Sequence, residues 1–241
     1  MAETVVVTGA SGFIAKHIIA ELLHRGYSVR GTVRKGTNSL KVVTALNRVG
    51  VDTSRLTFAT ADLLSPGDWD NALQGASFVM HTASPFPIEQ PADPDDVIAP
   101  ARTGTLNVLG AATRNGIRRV VLTSSTVAVM YPTQYEAGHI FSEADFTDEG
   151  TSGLTPYIRS KTLAEKAAWE FVTSTPNAPE LAVINPGFVQ GPALDEDLST
   201  SHELYRLMAR GIYPAAPKVR FPVSDVRDVA VAHVQALACA A

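Results

Sequence analysis

Tyr157 and Lys161 stand four residues apart in Tyr157-Ile158-Arg159-Ser160-Lys161. On a helix that spacing puts a phenol and an ammonium on one face. A tyrosine ordinarily titrates near 10, and a cation held beside it favours the phenolate and lowers that value toward neutrality. Such a phenol can give a proton to a carbonyl oxygen while a hydride arrives at the carbon. Lys161 can serve twice, tuning Tyr157 and hydrogen-bonding the ribose of a nicotinamide. The pair alone is weak, because a tyrosine and a lysine fall at this spacing by chance in many chains. A third group comes from Val120-Val121-Leu122-Thr123-Ser124-Ser125-Thr126, an apolar run that ends in hydroxyls. A serine at the end of a strand can hold a substrate oxygen beside the phenol, combining orientation with electrostatic stabilisation. Ser125 is the choice for that role and Ser124 the alternative; the other hydroxyl is expected only to end the strand by bonding nearby backbone.

These groups need a scaffold, and the chain opens with one. Thr4-Val5-Val6-Val7-Thr8 is a β-branched run that breaks at Gly9-Ala10-Ser11-Gly12 and continues with helical spacing from Phe13. With no side chain at Gly9 and Gly12, backbone N-H groups can approach an anion, and the positive end of the following helix favours a phosphate. Gly9, Ser11, Gly12, Phe13 and Ile14 are therefore expected to bind the pyrophosphate side of a dinucleotide. A turn of this kind also uses glycine for geometry alone, so the rest of the chain has to decide. Further apolar runs fall at Ser28-Val33, Leu56-Thr60, Ser77-His81, Arg119-Ser124 and Leu181-Ile184, separated by stretches able to hold helices. Helices are predicted near Phe13-Arg25, Asp95-Asn115 and Tyr157-Thr173, with Gly26 and Gly116 as C-terminal stops. Pro85-Pro100 and Ala193-Thr200 read as loops. The alternation predicts an α/β fold, a doubly wound parallel sheet of Rossmann type, with sites at the C-terminal ends of the strands. No internal repeat or low-complexity segment interrupts it.

The end of the second strand chooses between cofactors. A sheet that binds NAD places an acid there for the adenosine ribose hydroxyls, whereas this chain reads Val29-Arg30-Gly31-Thr32-Val33-Arg34-Lys35. A guanidinium and an ammonium suit a 2'-phosphate, so Arg34 and Lys35 predict NADPH over NADH; the competing reading is two solvated charges on a surface turn. Asp62-Leu63, just after the third strand, can meet the adenine, with a helix N-cap as the other role for Asp62.

Composition excludes several classes. The chain has 241 residues, 45% of them apolar, with 20 basic and 24 acidic residues and a formal charge of -4. That is enough to fill a core, and no basic run is present that would track nucleic acid. A single cysteine, Cys239, forms no internal disulfide, and no Cys/His cluster has zinc spacing, which suits a metal-free site in a reducing compartment. No apolar run approaches the length of a membrane span and no basic-then-apolar segment precedes the first strand, so a soluble cytoplasmic protein is expected. His81 and the two tryptophans, Trp69 and Trp169, are expected to be packing residues. Phe86, Tyr131 and Tyr205 stand near the predicted site loops.

Together, Thr8-Gly9-x-x-Gly12-x-x-Ala15, Ser124-Ser125, Tyr157-x-x-x-Lys161 and Asn185-Pro186-Gly187 resemble an extended short-chain dehydrogenase/reductase. Gly12-Phe13-Ile14-Ala15, Gly31-Thr32-Val33-Arg34, His81-Thr82-Ala83-Ser84-Pro85 and Asp225-Val226-Arg227-Asp228-Val229-Ala230 are similar to its dihydroflavonol-reductase-like branch, which includes fungal aldehyde, methylglyoxal and ketone reductases. The resemblance runs from Thr4 to about Ala236. It implies NADPH, a Ser125-Tyr157-Lys161 set and hydride transfer to an aldehyde or ketone. It also implies that Thr82, Ala83 and Ser84 line the ribose and phosphate side, and that Pro186 and Val189 meet the nicotinamide end. Ala15 stands where many relatives have a third glycine, at a position that packs helix on strand. Family members usually continue past the Asp225-Ala230 segment into a strand and helices that close the substrate pocket. A chain ending at Ala241 is therefore expected to carry a cofactor domain at 1–190 and a partial substrate region at 191–241. The helix near Val226-Ala238 would then leave an apolar face partly uncovered, favouring association or marginal stability; a monomer or weak homodimer is expected. Competing functions on the same scaffold are a nucleotide-sugar epimerase or dehydratase, a hydroxysteroid dehydrogenase, and a regulatory module that binds NADP without turnover.

Overall fold

The computed structural model describes residues 2–85, 93–136, 138–196, 200–212 and 221–239. Short β-branched runs buried on both faces make a parallel sheet. Its strands are β1 (Thr4–Val7), β2 (Ser28–Val33), β3 (Leu56–Thr60), β4 (Phe78–His81), β5 (Arg119–Thr123) and β6 (Glu180–Ile184), in the order β3-β2-β1-β4-β5-β6. Every neighbouring pair is parallel, with Val5 beside both Val29 and Phe78. The order reverses direction between β1 and β4, and a crevice opens there at the C-terminal ends of the strands.

Helices cover both faces. On one side lie α1 (Phe13–His24), α2 (Leu40–Arg48) and α7 (Val226–Gln235), packed on Val5, Val7, Val29, Met80 and Val121. On the other lie α3 (Pro66–Leu73), α4 (Asp95–Arg114) and α5 (Pro156–Ser174), packed on Val6, Val79, Val120 and Leu122. Alternate residues of one strand thus serve opposite layers. In α1 the stripe Ile18, Ile19 and Leu22 is fully buried, and each such side chain contributes about 1.5–3 kcal/mol. The helix ends at Arg25, followed by Gly26 at φ +94°, a left-handed stop that glycine adopts without strain. The remaining elements are α6 (Thr200–Ala209) and a two-stranded parallel sheet of β7 (Phe188–Gln190) and β8 (Val223–Asp225).

Several expectations change. Helices α2 and α3 do fill the stretches between the second, third and fourth strands, and α4 starts at Asp95 as predicted, so of the stretch read as a loop at 85–100 residues 95–100 belong to that helix, while 86–92 lie outside the described residues. Of the stretch read as a loop at 193–200, residues 197–199 lie outside the described residues and Thr200 already begins α6. Trp69 is buried at 1% exposure, but Trp169 sits on the outer face of α5 at 37%. The apolar face of α7 is covered: Val226, Val229, Ala230 and Val234 are buried against α1 and the sheet. Exposed apolar side chains occur instead on α6 and around β8, at Tyr205, Met208, Phe221 and Val223.

Candidate active site

Thr8, the last residue of the first apolar run, organises the centre of the crevice. Its hydroxyl oxygen accepts from the backbone N-H of Thr82 at 3.0 Å and of Ala83 at 2.9 Å, and stands 2.9 Å from His81 Nδ1. Both lone pairs are used, so the hydroxyl proton goes to Nδ1 and the proton of the ring sits on Nε2, 3.3 Å from Thr105 Oγ1. The Thr82 hydroxyl in turn donates to the Thr8 carbonyl. Burial, helped by the charge of Lys161, lowers the His81 pKa to about 3. The imidazole is a neutral strut between β1, β4 and α4. This network pins Thr82 and Ala83 against the glycine turn. Gly9 has φ +67°, and a Cβ there would meet Ala83 Cβ at 3.1 Å and Ala83 Cα at 3.2 Å. Only glycine fits without displacing backbone. Ser11 and Gly12 are exposed at the mouth of the turn, Phe13 and Ile14 open α1, and Ala15 is buried where the helix meets the sheet.

The second strand ends at an open groove of about 580 Å³ lined by Arg34, Lys35, Thr37, Asp62 and Asp68. Arg34 and Lys35 are exposed, and no acid ends β2. Asp62 is not the N-cap of α3; that position belongs to Ser65. Its carboxylate accepts instead from the Leu64 N-H at 2.9 Å, closing a turn after β3. Leu63 packs toward α4, where a Cβ on Gly104 would come within 2.9 Å of its side chain.

On the other side of the crevice, α5 starts at Thr155, whose hydroxyl accepts from the Ile158 N-H, with Pro156 in the first turn. Its next residue, Tyr157, hydrogen-bonds Ser125 through the phenol. Lys161 is buried one turn on and donates to the Thr123 carbonyl at 3.1 Å. Burial lowers the Lys161 pKa to about 8, opposed by the charge of Glu165. Burial also pushes the Tyr157 phenol up, offset only by the Ser125 hydrogen bond. The expected depression of the phenol pKa is absent from this arrangement, because desolvation outweighs the stabilising contacts. The two candidate serines separate by direction. Ser125 meets Tyr157, whereas Ser124 Oγ is buried without a hydrogen-bond partner and lines a slot of about 10 Å³ with Ala83, Ser84, Lys161 and Glu165. That slot brings the cofactor-side residues Ala83 and Ser84 together with the lysine.

The loop after β6 closes this end. Asn185 Nδ2 donates to the Ser125 carbonyl at 3.2 Å and to Glu165 Oε2 at 2.8 Å, and the Pro186 carbonyl accepts from the Thr126 N-H at 3.0 Å. Val189 is buried against Phe13, Val226 and Val229. Lys16 of α1, 1% exposed, pairs with Asp195 at 2.5 Å, and His17 Nε2 lies 3.0 Å from the Pro192 carbonyl. The helix that opens at the glycine turn therefore also holds the 192–195 segment. Tyr131 is half-buried, Tyr205 is half-exposed on α6, and Phe86 lies outside the described residues. Two members of these networks escape a reading of the sequence alone: Thr8 and Glu165. Glu165 had a signal, standing four residues after Lys161 on the same helical face.

Known proteins resemble this chain in sequence and fold. Residues 5–240 match the NAD dependent epimerase/dehydratase family. A cinnamoyl-CoA reductase of Medicago truncatula is 40% identical over 243 residues, spanning 98% of this chain and 72% of that protein. Among solved structures, Gre2 of Candida albicans in complex with NADPH superposes with a TM-score of 0.80 at 33% identity, over 98% of this chain and 74% of the other. Yeast methylglyoxal/isovaleraldehyde reductase Gre2 complexed with NADPH gives 0.78 at 30% identity, over 97% and 73%. No helix among the described residues is long and apolar enough to cross a membrane. With its family match over nearly the whole chain, its 3-2-1-4-5-6 parallel sheet and its glycine turn at β1, the chain belongs to the NAD dependent epimerase/dehydratase family, the extended short-chain dehydrogenases/reductases.

Proposed function

We propose that the chain is an NADPH-dependent carbonyl reductase that delivers hydride to an aldehyde or ketone and, in reverse, oxidises an alcohol. The observation that carries this reading is the hydrogen bond between Tyr157 and Ser125 at the C-terminal edge of β5, with the Lys161 ammonium buried one helical turn away. The residues also fit the cofactor: Gly9 leaves a cradle that a Cβ would fill, α1 presents its N-terminal N-H groups there, and Arg34 and Lys35 offer two cations where an NAD site would have an acid. NADPH, when bound, supplies the hydride.

The chain's own groups do the rest. Ser125 holds the substrate oxygen, and Tyr157 gives that oxygen its proton as the carbon is reduced. A phenol kept protonated by burial is in the right form to donate. Lys161 stabilises the phenolate left behind and holds the ribose. Gly9, Ser11, Gly12, Phe13 and Ile14 take the pyrophosphate side. Thr82, Ala83 and Ser84 line the middle of the site, Asp62 and Leu63 meet the adenine, and Pro186 and Val189 meet the nicotinamide end. Residues 191–241 provide the substrate side and, through α7, part of the α1 layer. A small carbonyl substrate, a monomer or weak homodimer and a cytoplasmic location complete the reading, in keeping with an unpaired Cys239.

The test is NADPH oxidation by the purified chain against a panel of aldehydes and ketones, with Tyr157→Phe beside it. General acids contribute about 10²–10⁴ in rate, so the phenylalanine variant should lose at least about 100-fold in kcat while keeping its affinity for NADPH. Near-normal turnover by Tyr157→Phe would remove the proton donor from this scheme.

A further inference from the structure

A buried hydrogen-bonded chain joins α7 to the lysine. Side chains of β5 alternate between layers, and Thr123, two residues after Val121, points toward the layer of α1 and α7. There its hydroxyl lies 2.7 Å from Nε2 of His233, which is fully buried on α7. The other ring nitrogen, Nδ1, lies 2.7 Å from the Val229 carbonyl. A carbonyl can only accept, so Nδ1 carries the proton and Nε2 receives the Thr123 hydroxyl. Burial lowers the His233 pKa to about 4, so the ring keeps this neutral form at neutral pH. On its main-chain side the same Thr123 presents its carbonyl to Lys161 Nζ at 3.1 Å. One residue is thus gripped from both layers of the fold.

We propose that His233 is a positioning residue for Lys161, fixing Thr123 from the far side of the sheet so that the Thr123 carbonyl stays aimed at the ammonium. This rests on the reading of Lys161 as the catalytic lysine. The titratable groups facing Lys161 are Glu165 and Tyr157 from its own helix and His81 from β4, the phenol and the imidazole neutral; Thr123 adds a fixed acceptor that favours the charged form. If Thr123 is released, that acceptor is lost, and Lys161 should shed its proton at lower pH.

His233→Asn keeps a donor toward Val229 and loses the acceptor for Thr123, whereas His233→Gln can place a carbonyl oxygen near the position of Nε2. Thr123→Val deletes the hydroxyl from the other partner and retains strand propensity. Lysine side-chain NMR of the cofactor-free protein reads the Lys161 titration directly, and circular dichroism checks the fold. We expect the Lys161 midpoint to fall in His233→Asn and in Thr123→Val, to recover in His233→Gln, and to fall no further in the double variant Thr123→Val/His233→Asn. In turnover, kcat should drop about tenfold, the usual consequence of one misplaced hydrogen bond in a transition state, and its alkaline limb should move to lower pH with the NMR midpoint. Should His233→Asn not fold, Thr123→Val alone carries the test. A wild-type midpoint and wild-type kcat in folded Thr123→Val overturn the proposal. Lys161→Met separates the two levels: inactivity there with unperturbed Thr123 and His233 variants sinks the positioning role alone, while full activity there sinks the catalytic reading and this proposal with it.

Discussion

Thr8→Val tests whether one hydroxyl holds the crevice together. Thr8 is fully buried, and valine matches it in shape and in strand propensity, so the change opens no cavity. What it removes is the oxygen that accepts from Thr82 N-H and Ala83 N-H and the proton that goes to His81 Nδ1. Each buried polar group left without a partner costs about 1–3 kcal/mol. Three such groups at the low end, because Thr82 and Ala83 are only half-buried, give about 3 kcal/mol. Against a total stability of roughly 5–15 kcal/mol that is severe, and in a chain of this size it corresponds to a Tm lower by roughly 6–12 °C. Urea unfolding should show a lower midpoint at unchanged slope, and NADPH affinity should weaken because the Thr82-Ala83-Ser84 segment loses its anchor. Thr8→Ser, which keeps the hydroxyl and loses a methyl, should cost about 1 kcal/mol. A valine variant within 1 kcal/mol of wild type, or a serine variant as damaged as the valine, would refute the reasoning.

Arg34→Ala should weaken NADPH at least about tenfold and leave NADH nearly unchanged, read by fluorescence titration; equal losses would reduce Arg34 to a surface charge. Asp195→Asn strands the buried Lys16 ammonium and should cost about 2–3 kcal/mol in chemical denaturation, less than a fully buried pair because Asp195 is 19% exposed; an unchanged midpoint would show that the pair contributes nothing. Stability should also depend on pH through the buried histidines, chiefly His81 and His233, with His17 shifted in the same direction. Their folded pKa values are about 3 for His81 and about 4 for His233, below the ordinary 6.5, so the unfolded chain takes up protons that the folded chain refuses. Their contribution is complete above pH 6.5 and lost as pH falls, by up to about 1.4 kcal/mol per unit for each ring. Denaturation between pH 6.5 and 5 should show this slope reduced in His233→Gln, and a flat profile in the wild type would contradict the burial of these rings. Finally, kcat for reduction should decline as pH rises through about 8, where Lys161 loses its charge; an alkaline limb that stays put in Lys161→Arg would assign it to another group.

The parts of this fold that carry a local pattern are legible in the sequence. The β-branched run before Gly9, the left-handed stop at Gly26 and the four-residue step from Tyr157 to Lys161 are each decided by a few adjacent residues, and the structure has them as a strand, a helix stop and one turn of helix. Other features are settled by contacts distant in sequence. Strands β7 and β8 have three residues each, too short for any periodicity, and pair only because the chain returns after 35 positions to set Val223 beside Phe188. Asp62 has the residue type of a helix cap, but Ser65-Pro66 starts the helix three residues later and leaves Asp62 to a turn. Helix α2, with its stripe of Val42, Ala45 and Leu46, lies in a stretch the sequence marks only as able to hold a helix, and the short, polar α3 offers only Pro66 and Trp69 as signals. His233 looks like any lone histidine on an apolar helix; only tertiary structure sets it 2.7 Å from a strand 110 residues earlier.

The exposed pair Arg34-Lys35 and the buried Lys161 sit at opposite extremes of constraint. Arg34 and Lys35 lie on the rim of an open groove and belong to no buried network. Lys161 is tied through Thr123 to a second layer of the fold and desolvated on all sides. On the proposed function, the choice of cofactor is written where substitution costs little stability, and the chemical step where nearly every change is also a change in folding. On that reading, a few substitutions at the rim should exchange one nicotinamide cofactor for another, whereas the reacting centre can change only together with the scaffold that holds it.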